Sequence, residues 1–332
     1  MKDIVFCINE SWAMPAGILI QSILHYNPGL IVTFHIVTKA FSEKKQQELF
    51  SVISGNDAAR IIFHFVDESS LKNLPLRKND HVTIETYFRF LIPALLPEDI
   101  HSVLYLDCDM LCTGSLEELL SIDISGYSAG MCPDTRFSDI EVFNRLDYPM
   151  QYGYYCAGTI LMNLDWWRKK KISEQCVSFL SENPGLCLWH DQDAINKVLH
   201  ESILPLNARY NVLPGLYTLY DFTAGHYTKS NSHNVYIEKK HWNDIISGIE
   251  DARIVHFSGR IKPWHTYDTL KPFMLLWRRF YKESQWANQK YAKNPLPLKT
   301  RIKHFLKKLI KGNGKPYPDK AYAPERRLLN AN

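Results

Sequence analysis

The sequence predicts an α/β protein whose mostly parallel sheet is doubly wound and covered by helices. Three observations carry this expectation. Short apolar runs alternate with helical patterns through the N-terminal two thirds of the 332 residues. Polar residues stand just past the ends of those runs, where such sheets place their ligands. Hydrophobic residues make up 45% and aromatics 13%, enough for one large core with aromatic-rich pockets.

Taken in order, Ile4–Ile8 is the first strand, and Ala16, Ile20, Ile23 and Leu24 recur at helical spacing, which makes residues 13–26 a crossover helix. Ile31–Val37, Arg60–Val66 and Ser102–Leu106 read as further strands, with Ser42–Ile53 and Thr83–Leu95 as intervening helices. Strands follow at Tyr127–Cys132, Thr159–Met162 and Arg253–Phe257. Residues 205–250, rich in Tyr, Asn, His and Gly, read as loops over a cleft, and Thr269–Glu283 as a closing helix. There is no internal repeat.

Composition narrows the class. No apolar run approaches the roughly 18 residues of a membrane span, and Asn9 and Glu10 break the first strand too early for a signal sequence. The chain is therefore expected in the cytoplasm. Its seven cysteines are scattered without paired CxxC spacing and read as reduced, mostly buried thiols. The GxGxxG and GxxxxGK[ST] signatures are absent, which argues against NAD and P-loop chemistry.

The sharpest chemical signal is Val-Leu-Tyr-Leu-Asp107-Cys108-Asp109. With a side-chain period of two, Asp107 and Asp109 project to one side and can share a cation. Their hard oxygens suit Mg²⁺ or Mn²⁺ with positions left open for a diphosphate. The plain alternative is a solvated strand end.

Further motifs follow in order: Tyr155-Cys-Ala-Gly-Thr-Ile-Leu-Met-Asn-Leu-Asp-Trp-Trp-Arg168, then Asp191-Gln192-Asp193, then Val255-His-Phe-Ser-Gly-Arg-Ile-Lys-Pro-Trp-His265. Together with the DxD, they resemble the family 8 retaining glycosyltransferases, particularly the bacterial lipopolysaccharide galactosyl- and glucosyltransferases, over about residues 1–285. The resemblance implies a GT-A type, Rossmann-like mixed sheet flanked by helices. It further implies a Mn²⁺ ion held by Asp107, Asp109 and His256 that bridges the phosphates of a UDP-hexose donor. The imidazole beside two carboxylates favours Mn²⁺ over Mg²⁺. On the same basis Gly259 allows close backbone approach, Lys262 supplies charge to the leaving diphosphate, and His265 closes the motif.

The strand end Cys7–Trp12 matches the uridine site, with Cys7, Asn9 and Trp12 facing the nucleotide and Cys108 set between the metal aspartates. Trp12 either stacks near the base or covers the sheet edge. Arg89 matches an arginine near the sugar-phosphate region, and Asp134 and Asp191 match carboxylates that hold donor hydroxyls. Gln192 matches the residue on the reactive face of the sugar. Two positions depart from the pattern. Asn9 stands where many relatives carry aspartate, which leaves its side-chain carbonyl to accept the uracil N–H, and Cys156 where they carry asparagine, so that either the donor hexose differs or its pocket is looser. The expected reaction is transfer of galactose or glucose to a saccharide or glycolipid acceptor with retention.

Three other readings compete. In a DxD phosphohydrolase Asp107 would be the nucleophile and Asp109 the general acid. A non-catalytic sugar-nucleotide or glycan-binding module and a self-glucosylating primer protein are the others.

From Leu296 onward ten Lys/Arg face two acids, a surplus of eight that leaves a net charge of +4 for the chain but −4 for the body. Residues 286–332 read as a basic tail. Within Leu298–Lys311, Leu298, Ile302, Phe305, Leu306, Leu309 and Ile310 share a helical face amid basic residues, which predicts attachment to an anionic membrane surface. A nucleic-acid role is not expected, because no aromatic platform interleaves the basic residues.

Overall fold

The computed structural model describes residues 2–67, 69–71, 74–76, 83–217, 220–221, 226–227, 236–238, 241–266, 273–296, 299 and 301. Strand β1 (Lys2–Cys7) leads through a 3₁₀ turn (Glu10–Trp12) into α1 (Ala13–Tyr26), followed by β2 (Val32–Thr38), α2 (Glu43–Val52) and β3 (Ala59–Phe65). A 3₁₀ segment (Ile84–Leu91) runs into α3 (Ile92–Leu95), then β4 (Ser102–Leu106), β5 (Met110–Cys112), α4 (Glu117–Ser121) and β6 (Ala129–Pro133). Next come α5 (Ile140–Leu146), β7 (Tyr155–Asn163), α6 (Leu164–Lys170), α7 (Ile172–Glu182), α8 (His190–Leu199) and β8 (Ile203–Pro205). Beyond these lie α9 (Pro214–Tyr217), the short pair β9 (Tyr220–Asp221) and β10 (His226–Tyr227), α10 (Trp242–Glu250), β11 (Ile254–His256) and α11 (Met274–Glu283).

Seven strands form one sheet in the order β3-β2-β1-β4-β7-β6-β8. β7 pairs antiparallel with both β4 and β6, and the other pairings are parallel, so the sheet is mixed but mostly parallel as expected. Every residue of β2 and β7 is buried, as strands covered on both faces must be. One face packs Phe6, Phe34 and Leu104 with Trp277 and Phe280 of α11. The other packs Val5, Val37 and Tyr105 with Trp167, Leu180 and Ile195. Each such side chain contributes about 1.5–3 kcal/mol on burial. The strand order reverses between β1 and β4, which opens a crevice beyond their carboxyl ends.

Several expectations need adjustment. Thr83–Leu95 is not one α-helix: Pro93 has no N–H for the Arg89 carbonyl, and the segment runs as 3₁₀ until Ile92. The loop reading of residues 205–250 misses α10, whose Ile245 and Ile249 are buried one turn apart. β11 belongs not to the main sheet but to a separate antiparallel pair with β5, in which His256 faces Met110. Of the closing helix, α11 is described from Met274, and residues 269–272 lie outside the described residues. Just past residue 285 Trp286 is buried, its indole N–H donating to Glu48 at 2.9 Å, and the Ala292 N–H donates to the Trp264 carbonyl at 2.8 Å, so the described residues 286–292 pack on the body. Of the stretch 298–311 only Lys299 and Arg301 are described, so the predicted amphipathic helix lies outside the described residues.

Candidate active site at the ends of β1 and β4

Asp107 follows the last residue of β4, and Asp109 precedes the first residue of β5, so the DxD forms the turn between two strands. Opposite it, β11 delivers His256. Ligand atoms of Asp107, Asp109 and His256 all lie within 4.8 Å of one another, the one such group among the described residues. His256 Nε2 is 3.1 Å from Asp109 Oδ1 and 3.8 Å from Asp107 Oδ2. Its other nitrogen, Nδ1, donates to Asn211 Oδ1 at 3.0 Å, which turns Nε2 toward the carboxylates. Two carboxylates and an imidazole oriented in this way fit a divalent cation of the Mn²⁺ or Mg²⁺ type.

The electrostatics of this group are tight. Against the cost of burial, the Lys262 ammonium and His256 hold the Asp109 carboxyl far below the usual carboxylate range. Burial disfavours the His256 imidazolium, but Asp109 beside it lifts the pKa to about 10. Lys262 Nζ also donates to the Phe257 carbonyl at 2.9 Å, which fixes its reach.

A second cluster adjoins the first. Arg89 is buried, with Nη1 2.9 Å from Asp191 and Nη2 3.2 Å from Asp107. Nη1 also donates to the Ala157 carbonyl at 2.6 Å, and the guanidinium lies 4.4 Å over the Tyr105 ring. The other side of the Ala157 peptide donates its N–H to Gln192 Oε1 at 2.9 Å, and Gln192 Nε2 donates to Asp134 Oδ2 at 3.3 Å. Arg89, Asp191, Gln192 and Asp134 are thus linked through Ala157 of β7 into one cluster. Burial raises the carboxyls of Asp191 and Asp134, opposed by Arg89 and Thr86 at the first and by the Arg136 N–H and Gln192 at the second.

At the β1 end, Asn9 caps the 3₁₀ turn, its Oδ1 accepting from the Ser11 N–H at 3.1 Å and hydroxyl at 2.5 Å. Its side-chain carbonyl therefore already has two donors. Trp12 meets Trp264 edge-on at 5.7 Å, which joins the β1 end to the Lys262 loop. Cys7 is half-buried and Cys108 buried, and burial pushes both thiols up. In the Lys262 loop Gly259 has φ +87°, a backbone most side chains avoid, with nothing near its missing Cβ; conformation rather than space requires glycine there. His265 Nδ1 accepts from the Lys262 N–H at 3.2 Å, and burial with the Lys262 charge lowers its pKa.

Four contributors escaped the sequence reading. Tyr105 donates to Asp107 at 2.6 Å, and its place two residues before Asp107 could have shown it. Thr86 donates to Asp191 at 2.6 Å. Asn211 orients His256; a lone asparagine in the apolar stretch Tyr210–Leu213 was the available signal. Gly158 is the fourth: a Cβ there would lie 2.5 Å from His256 Cε1 and 2.7 Å from Nδ1. Cys156, two residues earlier on β7, also puts its thiol against His256.

Gly158→Ala is therefore expected to push the imidazole off the aspartates, weakening divalent-cation binding by roughly 10–100-fold, as second-layer disruptions do. A cation titration followed by calorimetry checks this, and unchanged affinity would contradict the role. Asp193, the third member of the triplet, does something else. It is fully buried and takes both guanidinium nitrogens of Arg145 at 2.8 and 3.0 Å, the Tyr154 hydroxyl at 2.7 Å and the Trp189 N–H at 2.8 Å. It anchors the start of α8 and so carries Asp191 and Gln192 to the cleft.

Comparison with known proteins gives a consistent picture. Residues 3–268 match the pattern of glycosyl transferase family 8. The lipopolysaccharide glucosyltransferase WaaO of Escherichia coli is 26% identical over 322 residues, covering 92% of this chain and 86% of its own. The lipopolysaccharide 1,3-galactosyltransferase of Salmonella typhimurium is 27% identical over 273 residues, covering 80% and 73%. Among solved structures, the galactosyltransferase LgtC in complex with donor and acceptor sugar analogs superposes with a TM-score of 0.70 at 22% identity, over 91% of this chain and 99% of its own. An active-site mutant of LgtC gives 0.73 at 21% identity, over 90% and 99%.

Proposed function

The chain belongs to glycosyl transferase family 8, and from that premise we propose that it transfers a hexose, galactose or glucose, from a UDP-sugar to a saccharide acceptor with retention of configuration. The carrying observation is the convergence of Asp107, Asp109 and His256 with Lys262 at the switch point of the sheet. These three side chains would hold Mn²⁺, with Mg²⁺ as the alternative. A cation held there would offset negative charge on the diphosphate of the donor. Lys262 adds an ammonium on the same side, where charge grows as UDP leaves. Cys7, Asn9 and Trp12 stand where the nucleoside would lie.

The sugar would then rest over Asp191, Asp134 and Gln192. Both carboxylates are already tied, Asp191 by Arg89 and Thr86, Asp134 by the Arg136 N–H and Gln192. Such acids suit hydroxyl recognition, and an amide is a poor nucleophile, so a covalent glycosyl intermediate has no evident carrier. We favour substitution on one face. The departing phosphate takes the acceptor proton, and Gln192 supports the positive charge on the sugar ring. The phosphohydrolase reading fares worse, because Asp109, its general acid, faces the Lys262 ammonium and His256, two partners that favour the charged carboxylate.

The names of the relatives point the acceptor toward a lipopolysaccharide-type glycan on a lipid. No helix among the described residues is long and apolar enough to cross a membrane. Residues 298–311 would instead hold the protein at the anionic inner face of the cell membrane, at roughly 1 kcal/mol per basic residue near it.

The test is a panel of nucleotide sugars with Mn²⁺, scoring UDP release and the first-formed product by NMR. Release from UDP-galactose or UDP-glucose and an α-linked product from an α-linked donor are expected. A β-linked product would refute the mechanism. Truncation after Asn294 should abolish cosedimentation with anionic vesicles at low salt, and unchanged sedimentation would refute the attachment.

A further inference from the structure

The loop that carries Lys262 is held from behind by a part of the chain that the family match, ending at residue 268, does not reach. Arg278 on α11 donates through Nε to the Pro263 carbonyl at 3.1 Å and through Nη2 to the His265 carbonyl at 2.8 Å. Its guanidinium lies 4.4 Å over the Tyr291 ring, and Tyr291 itself packs on Tyr281 at 5.1 Å. One residue on, Ala292 donates to the Trp264 carbonyl at 2.8 Å and accepts from the Thr266 N–H at 2.8 Å. Trp264 sits between Trp12 at 5.7 Å and Trp277 at 5.5 Å. Every backbone carbonyl from Pro263 to His265 is thus bound by the segment 273–292.

We propose that Arg278 is a positioning residue for Lys262 and that residues 273–292 complete the active site as a clamp on its loop. A lysine is a point charge on a flexible four-carbon stem, so the ammonium lands where the loop backbone puts the stem. Inside the loop Lys262 is braced by near neighbours: its N–H reaches His265 Nδ1 at 3.2 Å, its carbonyl accepts from the His265 N–H at 3.1 Å, and its ammonium donates to the Phe257 carbonyl at 2.9 Å. The fork of Arg278 fixes two carbonyls two residues apart, which a lysine or a single donor cannot do. Arg278 does not touch the donor; it sets the distance at which Lys262 meets the leaving phosphate. Small errors in that distance cost rate more than binding, because the phosphate charge grows as the bond breaks. This rests on the reading above that Lys262 serves the leaving diphosphate.

A double-mutant cycle separates the clamp from ordinary packing. Arg278→Met keeps the stem over Tyr291 but removes the fork. In the full-length protein it should lower kcat for UDP release about 10-fold, with the donor KM within about twofold. In a Lys262→Met background the same change should cost less than about twofold, because the group being positioned is gone. Equal losses in both backgrounds, or a change confined to KM, would overturn the proposal. A second readout needs no turnover: amide exchange at His265 and Thr266 should quicken in Arg278→Met. Unchanged protection there refutes the clamp by itself. Wild-type protein that releases UDP from no nucleotide sugar would refute the transferase reading instead, and exchange would still decide the clamp.

Discussion

Asp109→Ala should abolish transfer, with kcat/KM down by roughly 10³-fold or more, equivalent to about 4 kcal/mol of leaving-group stabilisation. Asp109 is the hub of its cluster, touching both His256 and Lys262, so its loss removes a metal ligand and frees two cations at once. The variant also carries a pH signature. His256 has a pKa of about 10 because Asp109 is beside it, so below that pH the imidazole is protonated and a cation must displace one proton to bind. Cation affinity of the native protein should therefore rise with pH, by roughly tenfold per unit through neutrality. Without Asp109 the imidazolium loses its support and that slope should flatten. A folded Asp109→Ala protein with native turnover, or a cation affinity independent of pH in the native protein, would contradict this assignment.

The largest effect on folding is expected at Asp193. Asp193→Ala leaves the Arg145 guanidinium and the Tyr154 hydroxyl facing an empty, fully buried position. Removing one partner of a buried ion pair costs about 3–5 kcal/mol, far more than the net worth of the pair. Adding Arg145→Met should return part of that loss, since the stranded cation goes with it. Urea unfolding checks both values. A single variant within about 1 kcal/mol of the native protein would show that Asp193 is not the anchor of α8.

These two aspartates show how far the sequence could be read. The DxD, His256 and Lys262 are legible because their residue types announce metal and phosphate chemistry, and the ordered motifs narrow the family. Asp191 and Asp193 look equivalent in sequence. The family resemblance gives a role to Asp191 alone, and the fold supplies the physical difference by placing Arg89 and Thr86 on one and sealing the other beneath Arg145. Gly158 and Asn211 were opaque for a related reason: their work is done on His256, which approaches from a strand about a hundred residues later in the first case. The strands were found where apolar runs are continuous, as in β2 and β7. The helix α10 was lost because its short apolar period sits among Tyr-, His- and Asn-rich residues. Pro93, which has no N–H for the Arg89 carbonyl, is the sign in the sequence that Thr83–Leu95 cannot be one α-helix.

Asp107, Asp109 and His256 are proposed to join a divalent cation to a nucleoside diphosphate. Calorimetric titration of UDP into the full-length protein, with Mn²⁺ and again in EDTA, tests that most directly. One saturable UDP site that appears with Mn²⁺ and vanishes in EDTA is the predicted result. UDP bound equally well in EDTA, or bound in neither condition, would contradict it.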